Sequence, residues 1–320
     1  MSSLRSLAKA GVVFLDRMAA PLAGPPPSPS KALPCVFLIG GPRSGSTLVC
    51  QSMIVCRRFA YMNNLVSRFP QSGAAIAAFT MVGRWPRPQV FKSDYGDTDG
   101  LAGPSEGGDF WDRIFPWESH HSVDPEDFPD DLAEELRRMV HRLSTEYGAP
   151  FLAKNLWNSI RLNAINKALP NSIFVVLKRN PVLMAQSLLE GRRKKIGDSR
   201  ELWSIRPRQM LNHLGESPIR QTAYQLAYTY QAIERAREEL GSHRFFDLPY
   251  DGFCADPQSW LERIDEFLGA NGVSVNKLNK IEEPFSATTT LRLSPNDIEE
   301  LETVFKEAWP GGYSPIENDR

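Results

Sequence analysis

The stretch CVFLIGGPRSGSTLVCQSMIV, residues 35–55, constrains the fold more than any other part of the sequence. Its apolar run Cys35–Ile39 shows no alternation, which indicates a strand buried on both faces, and helical periodicity begins at Thr47. A glycine-rich turn between such a strand and helix forms an anion cradle, because backbone N–H groups and the helix N-terminus point into it. We therefore expect a phosphate-type loop.

This loop differs from that of nucleotide triphosphatases at one position. In the pattern G-x-x-x-x-G-K-[ST], the lysine reaches the outer phosphates and the hydroxyl residue holds magnesium. Aligned on Gly40 and Gly45, the chain has Ser46 in the lysine position, followed by Thr47. The backbone cradle is kept, whereas the group that grips a γ-phosphate is missing. The loop is thus expected to bind an anion other than ATP.

Buried apolar runs alternate with helical periodicity along the rest of the chain. The candidate strands are Cys35–Ile39, Phe59–Met62, Phe151–Lys154, Ile173–Lys178 and His243–Leu248. The candidate helices are Thr47–Cys56, Asp131–Tyr147, Ser159–Leu169, Val182–Lys194, Pro218–Leu240 and Pro257–Leu268. This order predicts an α/β fold with a P-loop-type parallel sheet of about five strands and helices on both faces.

Length and composition favour one α/β domain behind a short arm. The chain has 320 residues, 42% of them hydrophobic, which suffices for one large core. Residues 1–33 are predicted to form an N-terminal arm and a linker, because PPPSPS at 25–30 cannot continue a helix. The arm either packs or is disordered, or it contacts a membrane surface. The domain is expected to span residues 34–320.

An irregular insertion rich in Gly, Pro, Trp and Phe occupies about residues 71–129. Long insertions of this kind usually act as a lid or as a substrate wall, the alternative being a flexible surface excursion. Its aromatic residues predict an ordered segment, because disordered loops are poor in them. These residues are Phe110, Trp111, Phe115 and Trp117.

Charge and cysteine content exclude several classes of protein. The formal net charge of −1 offers no global attraction to nucleic acid or to an anionic membrane. No stretch reaches the roughly 18 apolar residues of a membrane span. Four cysteines without paired spacing predict reduced packing residues in a cytoplasmic protein, rather than a disulfide or metal site. They are Cys35, Cys50, Cys56 and Cys254.

A second chemistry-bearing stretch is IFVVLKRNPVLMAQSLLEGRRKK, residues 173–195. Asn180 suits a helix N-cap and Pro181 the first helical position, so Arg179 should lie at the carboxyl end of a strand. Ligands of open α/β sheets bind at that edge. Ser187 follows Asn180 by about two helical turns and lies on the same face. Arginine and serine can therefore converge on one phosphate, although each alone is more typical of a solvated surface.

Together the two stretches resemble those of the PAPS-dependent sulfotransferases, which move a sulfuryl group from 3′-phosphoadenosine-5′-phosphosulfate (PAPS) to an acceptor. GGPRSGSTL is similar to the 5′-phosphosulfate loop of that family, and LKRNPVLMAQSLL is similar to its 3′-phosphate motif. The segment FFDLPYDGFCADPQSWLERIDEFLG, residues 245–269, also resembles the family's strand, tyrosine and helix.

The resemblance implies a role for each residue of these motifs. Arg43 would be the cation of the loop, both for binding and for catalysis. Arg179 and Ser187 would hold the 3′-phosphate, a group that ATP lacks. The remaining implied donor-binding residues are Ser44, Gly45, Ser46, Thr47 and Tyr250.

The implied catalytic groups are Lys154 and a carboxylate. Lys154 resembles the lysine of the family's K-T-H motif, where it stabilises charge on the bridging oxygen. Asn155 and Leu156 follow instead of threonine and histidine, so the base must come from elsewhere. Our candidate is Glu106, whose partial burial in the insertion would raise its pKa; the alternative is a solvated loop glutamate. The reserves are His120, His121, Asp109 and Asp94.

The sequence therefore predicts sulfuryl transfer from PAPS to a hydroxyl-bearing acceptor, such as a sugar, a lipid-like alcohol or a phenol. No metal is expected, because the strand ends AKN and LKRNP are basic where a magnesium site would be acidic. Nucleic acid is not an expected partner, and the oligomeric state is open. One alternative is a protein that binds PAPS or its product PAP without transfer. The other, a small-molecule kinase, is disfavoured by Ser46.

Two features of the sequence leave the nucleotide end undecided. The basic run Arg192–Lys195 either completes the 3′-phosphate field or forms a solvated helix C-terminus. The R-K-G-x-x-G segment with which the family's cytosolic branch closes on the 3′-phosphate is absent. In its place stands TTTLRLSPNDIEELETVF, where Ser294 is expected to open a helix.

Overall fold

The computed structural model describes residues 34–68, 91, 103–197 and 201–311. The predicted arm and linker, residues 1–33, lie outside these ranges, as do most of the first half of the insertion and the reserve carboxylate Asp94.

Five parallel strands form the sheet, in the order β2-β3-β1-β4-β5. They are β1 (Cys35–Gly40), β2 (Ala60–Tyr61), β3 (Phe151–Lys154), β4 (Ile173–Lys178) and β5 (Phe245–Pro249). Strand β1 lies at the centre and is fully buried, as its unbroken apolar sequence predicts. The predicted α/β class and parallel sheet are confirmed.

Helices flank the sheet, as predicted. They are α1 (Ser46–Cys56), α2 (Asn64–Arg68), α3 (Gly108–Ile114), α4 (Asp130–Tyr147), α5 (Leu162–Ala168), α6 (Pro181–Lys195), α7 (Pro218–Leu240), α8 (Tyr250–Ala255), α9 (Pro257–Ala270) and α10 (Pro295–Ala308). Short 3-10 helices cover Leu156–Ile160, Arg208–His213 and Ser242–Arg244.

Several predicted elements have different bounds in the structure. The single helix predicted over Ser159–Leu169 is wrong, because Arg161, with φ −141°, separates a 3-10 helix from α5. The side chain of Asn155 starts that 3-10 helix by accepting a hydrogen bond from the Trp157 N–H at 2.9 Å. Strand β5 begins at Phe245 because the preceding three residues form a 3-10 turn, and β2 is shorter than predicted.

The start of α6 follows the predicted capping pattern. Asn180 Oδ1 accepts hydrogen bonds from the N–H groups of Val182 and Leu183, at 2.9 and 3.3 Å, and Pro181 takes the first turn. Ser294 likewise caps α10 by accepting from the Asp297 N–H. The cap of α6 fixes where β4 ends, and so it fixes the position of Arg179.

The described part of the insertion packs on the core. Phe110, Trp111 and Phe115 are buried, and the Trp111 ring lies 6.2 Å from that of Phe37 on β1. Trp117 is an exception, with 38% of its surface exposed. Order is therefore confirmed for residues 103–129, and the part of the prediction that falls on residues 71–90 and 92–102 lies outside the described ranges.

The four cysteines are unpaired and buried, where they contribute to packing. In the part of the chain that the structure describes, no helix is both long and apolar enough to cross a membrane.

Candidate functional site

The sheet topology brings three distant segments to one edge. Strand β1 pairs with β3 on one side and with β4 on the other, with Leu38 opposite Lys154 and Gly40 opposite Leu177. The carboxyl ends of parallel strands meet at one edge, so the glycine-rich loop lies between Lys154 and Arg179.

A cavity of about 570 Å³ opens at this edge. Nine of the residues predicted for the site line it, namely Arg43, Gly45, Ser46, Thr47, Glu106, Lys154, Arg179, Ser187 and Tyr250. Ser44 does not, because its side chain is fully buried beneath the loop. The juxtaposition agrees with one shared site, whose residue roles stay predictions.

The loop needs glycine at position 45. Gly45 has φ +92°, which an L-residue rarely adopts, and a Cβ there would lie 2.0 Å from the ring of Tyr250. The hydroxyl of Ser159, on the 3-10 helix after β3, braces the start of the loop. It accepts from the Gly40 N–H at 3.1 Å and donates to the Gly40 carbonyl at 3.0 Å.

The two predicted phosphate motifs contact each other directly. Arg43 Nε donates to Ser187 Oγ at 3.0 Å, and Arg179 Nη1 donates to the carbonyl oxygen of Arg43 at 2.9 Å. The Arg179 guanidinium lies over the ring of Tyr250, 4.6 Å from its centroid. Two cations, a hydroxyl and an aromatic ring therefore lie together at one end of the cavity, a set of groups that is chemically suited to an anion.

On the other side of the loop, Lys154 joins the loop to the insertion. Its Nζ donates to Thr47 Oγ1 at 2.9 Å and forms an ion pair with Glu106 Oε1. Asn155 Nδ2 donates to the main-chain oxygen of Glu106 at 3.2 Å. The Glu106 side chain is 39% exposed and bound to a cation, so its surroundings are not the apolar burial that the sequence argument assumed.

The segment 288–292 covers the Arg179 end of the cavity, a position that the sequence did not predict. The carbonyls of Thr288 and Thr290 accept from Arg179 Nη2 and Gln186 Nε2, both at 3.1 Å. The Arg292 N–H donates to Gln186 Oε1, while its guanidinium is bonded to Glu190 at 2.8 Å. Thr288 and Arg292 line the cavity. The contacts use mostly backbone groups, which leave no motif in a sequence.

The basic run at the end of α6 divides between two environments. Arg192 is fully buried, and its Nη2 donates to Gln225 on α7 at 2.7 Å. Lys195 instead lines the cavity. The four residues of the run therefore do not all face the cavity, because the Arg192 side chain points towards α7.

Among the reserve bases, His121 is buried behind the cavity wall. Its Nδ1 accepts from the Arg206 N–H at 2.9 Å, and its ring stacks on the cavity-lining Trp157 at 4.3 Å. Burial, aided by the nearby charge of Arg161, lowers the pKa of His121 to about 3. A neutral, buried imidazole supports Trp157. Neither His120, His121 nor Asp109 lines the cavity.

Comparison with known proteins identifies the family. The model of the sulfotransferase family matches residues 34–273, three quarters of the chain, and spans every predicted donor-binding residue. The chain belongs to the sulfotransferase family. The resemblance of the loop and of the α6 motif is thereby confirmed at the family level, and the protein is an enzyme of that family.

Two solved sulfotransferase structures are similar to this chain. Sulfotransferase STF1 from Mycobacterium tuberculosis H37Rv has 16% identity and a TM-score of 0.51, with 94% of this chain and 80% of that chain covered. STF9 from Mycobacterium avium has 16% identity and a TM-score of 0.49, with 85% and 67% covered. The STF1 likeness supports the sulfotransferase fold. No match was found among individually curated proteins.

Proposed function

We propose that this sulfotransferase moves a sulfuryl group from PAPS to a hydroxyl acceptor. The observation that carries the proposal is the hydrogen bond between Arg43 and Ser187, which joins the loop and the α6 motif within one cavity. A ligand with phosphate groups at both its 5′ and 3′ positions matches this pair of anion sites. ATP matches less well, because it has no 3′-phosphate and Ser46 replaces the lysine that grips a γ-phosphate.

The donor would be held by both ends of the cavity. The N-terminus of α1 and the hydroxyls of Ser46 and Thr47 would bind the 5′-phosphosulfate, and Ser44 would support the loop from below. Arg179 and Ser187 would bind the 3′-phosphate, with Arg43 between the two groups. Tyr250 beneath Arg179 would fix the direction of the guanidinium, since the two already stack.

The transfer step assigns different roles to Lys154 and Glu106. Glu106 would accept the proton of the acceptor hydroxyl as its oxygen attacks sulfur in line with the bridging oxygen. The bond from sulfur to the bridging oxygen breaks, and PAP leaves with the charge that Lys154 stabilises. The observed Lys154–Glu106 pair supports this assignment, because one lysine contacts both the loop and the carboxylate.

Transfer is expected to need no metal. Lys154 and Arg179 occupy the strand ends where carboxylate ligands of magnesium would be needed, and among the described residues no group of His, Cys, Asp and Glu side chains could hold an ion. Activity should therefore survive EDTA. The unpaired, buried cysteines support a reducing, cytoplasmic location as a further part of the proposal.

Calorimetry with PAP, ADP and ATP, each with magnesium and with EDTA, tests the donor assignment. Tight PAP binding without metal, weakened at least about 30-fold by Arg179→Ala, would support it. Magnesium-dependent ATP binding without PAP binding would favour a kinase. If PAP binds, a panel of phenol, sugar and alcohol acceptors with radiolabelled PAPS then separates a transferase from a protein that only binds the nucleotide.

A further inference from the structure

Ser204 has a backbone conformation that side chains rarely adopt. Its φ is +71°, and among the described residues Arg43 is the other non-glycine residue with positive φ. Both residues line the same cavity. Left-handed backbone at a non-glycine residue is strained, and it persists where the surrounding structure enforces it, often at functional sites.

A buried network enforces this conformation. Gln225 Nε2 donates to the carbonyl oxygens on both sides of Ser204, at 2.8 Å to Trp203 and also to Ile205. Arg192 Nη2 in turn donates to Gln225 Oε1 at 2.7 Å, and both side chains are fully buried. The turn is therefore anchored to the α6 and α7 core.

Glycine at position 191 allows the Trp203 ring to approach α6. A Cβ on Gly191 would lie 2.2 Å from the six-membered ring of Trp203. Gly191 follows Ser187 by one helical turn, so Trp203 packs next to the residue that contacts Arg43. The Trp203 ring thus packs on the same face of α6 that contacts the glycine-rich loop through Ser187.

A chain of contacts connects the Trp203–Ser204 turn to the part of the cavity that contains Lys154 and Glu106. Arg206, two residues after Ser204, exchanges two hydrogen bonds with His121, one from each backbone N–H, both at 2.9 Å. The His121 ring stacks on Trp157, which comes three residues after Lys154. Of the groups proposed to hold the nucleotide, Ser187 lies one helical turn from Gly191, which the Trp203 ring approaches, whereas Arg179 contacts Tyr250 and the segment 288–292.

We propose that the Trp203–Ser204 turn binds the acceptor. The rings of Trp203 and Trp157 would hold an acceptor that contains a ring, and the Ser204 hydroxyl would hydrogen-bond it so that its reacting hydroxyl faces Glu106. This inference rests on the proposed function. It predicts that phenols and sugars are better acceptors than linear alcohols.

The test compares Ser204→Gly and Ser204→Ala with wild type, using PAPS with 2-naphthol, methyl glucoside and 1-hexanol. Ser204→Gly relieves the backbone strain, so its Tm should rise by about 1–3 °C. Its KM for the preferred ring acceptor should rise about tenfold, while the Kd for PAP changes less than about twofold. Ser204→Ala keeps the strain and loses the hydroxyl, so its KM should rise without the gain in Tm.

Two further variants separate a binding role from a structural one. Gly191→Ala pushes the Trp203 ring away and should reduce the preference for ring acceptors over 1-hexanol at least about fivefold. Ser259→Gly, on the exposed face of α9 outside the cavity, is the matched control and should leave acceptor KM unchanged.

The outcomes distinguish the two proposals. If Ser204→Gly turns over the acceptors with unchanged KM and an unchanged preference for ring acceptors, the turn does not bind the acceptor. The proposed sulfuryl transfer would not be affected by that result. Wild-type protein that binds PAP and turns over none of the panel would overturn the transfer function and this inference with it.

Discussion

Arg43 and Ser187 are 144 residues apart in sequence and are joined by a hydrogen bond of 3.0 Å. The sheet order explains this contact, because β1 and β4 are neighbours and the loop and α6 follow directly from them. The two motifs are therefore joined in the structure, and we propose that they bind the anionic groups of one ligand. A change in either motif should affect the binding of the whole nucleotide.

Arg179→Ala should remove the preference for PAP over ADP. Loss of a bidentate contact to the 3′-phosphate would weaken PAP binding by about 2–3 kcal/mol, and ADP binding by less than about 0.5 kcal/mol. Calorimetry on both ligands measures the difference. Lys178→Ala, which breaks an ion pair with Glu234 outside the cavity, is the control. Equal losses for PAP and ADP would contradict the 3′ assignment.

Glu106→Gln and Lys154→Met should each lower kcat by about 100-fold or more. The first removes the proposed base, and the second removes the positive charge that would stabilise the departing PAP. Glu106→Gln should leave the Kd for PAP within about threefold of wild type. The double variant should be little slower than the slower single variant, since the two groups act as a pair. Single-turnover kinetics measures this. Full additivity would indicate independent roles.

Gly45→Ala should destabilise the protein and abolish PAP binding. The new Cβ meets both a positive φ and the Tyr250 ring, so a loss of about 2–3 kcal/mol in unfolding free energy is expected. Urea unfolding measures it. The pair Gly45→Ala with Tyr250→Ala should unfold at a higher urea concentration than the sum of the single losses predicts, because the clash disappears while the backbone strain remains. Strict additivity would show that the ring is not the obstacle.

His121 should make the protein less stable as the pH falls below about 6.5. Its folded pKa of about 3 is depressed, so the unfolded chain binds the proton first and the stabilisation by neutral His121 is lost as the pH falls from 6.5 towards 3. Near pH 5 the loss is about 2 kcal/mol. Urea unfolding at pH 7 and pH 5 should show a smaller difference in His121→Asn than in wild type. The exposed His243→Asn is the control, and an unchanged difference in His121→Asn would exclude this origin.

The elements that depend on residues close together in the sequence could be predicted from the sequence alone. The apolar runs of β1, β3 and β4 and the Asn180 cap each depend on nearby residues. Arg161 broke a predicted helix because Asn155 starts a 3-10 turn through its side chain. Such side-chain competition with the backbone is weakly encoded in periodicity.

The missed parts of the site depend on long-range contacts. Ser204 adopts its conformation because of Gln225, which follows it by 21 residues. The ion-pair partner of Glu106 is Lys154, which lies 48 residues later in the sequence at the end of β3. Neither residue type nor local spacing identifies such partners, since they meet only when the sheet has assembled.

The segment 288–292 lies beyond residue 273, where the family match ends. A chain shortened at that residue would retain every recognisable motif and yet lose the carbonyls that receive Arg179 and Gln186, together with Arg292. It would also lose α10, which packs against α7. The proposed nucleotide site thus includes a segment that lies outside the residues by which the family is recognised, and we expect a chain cut at residue 273 to release PAP faster than the full chain.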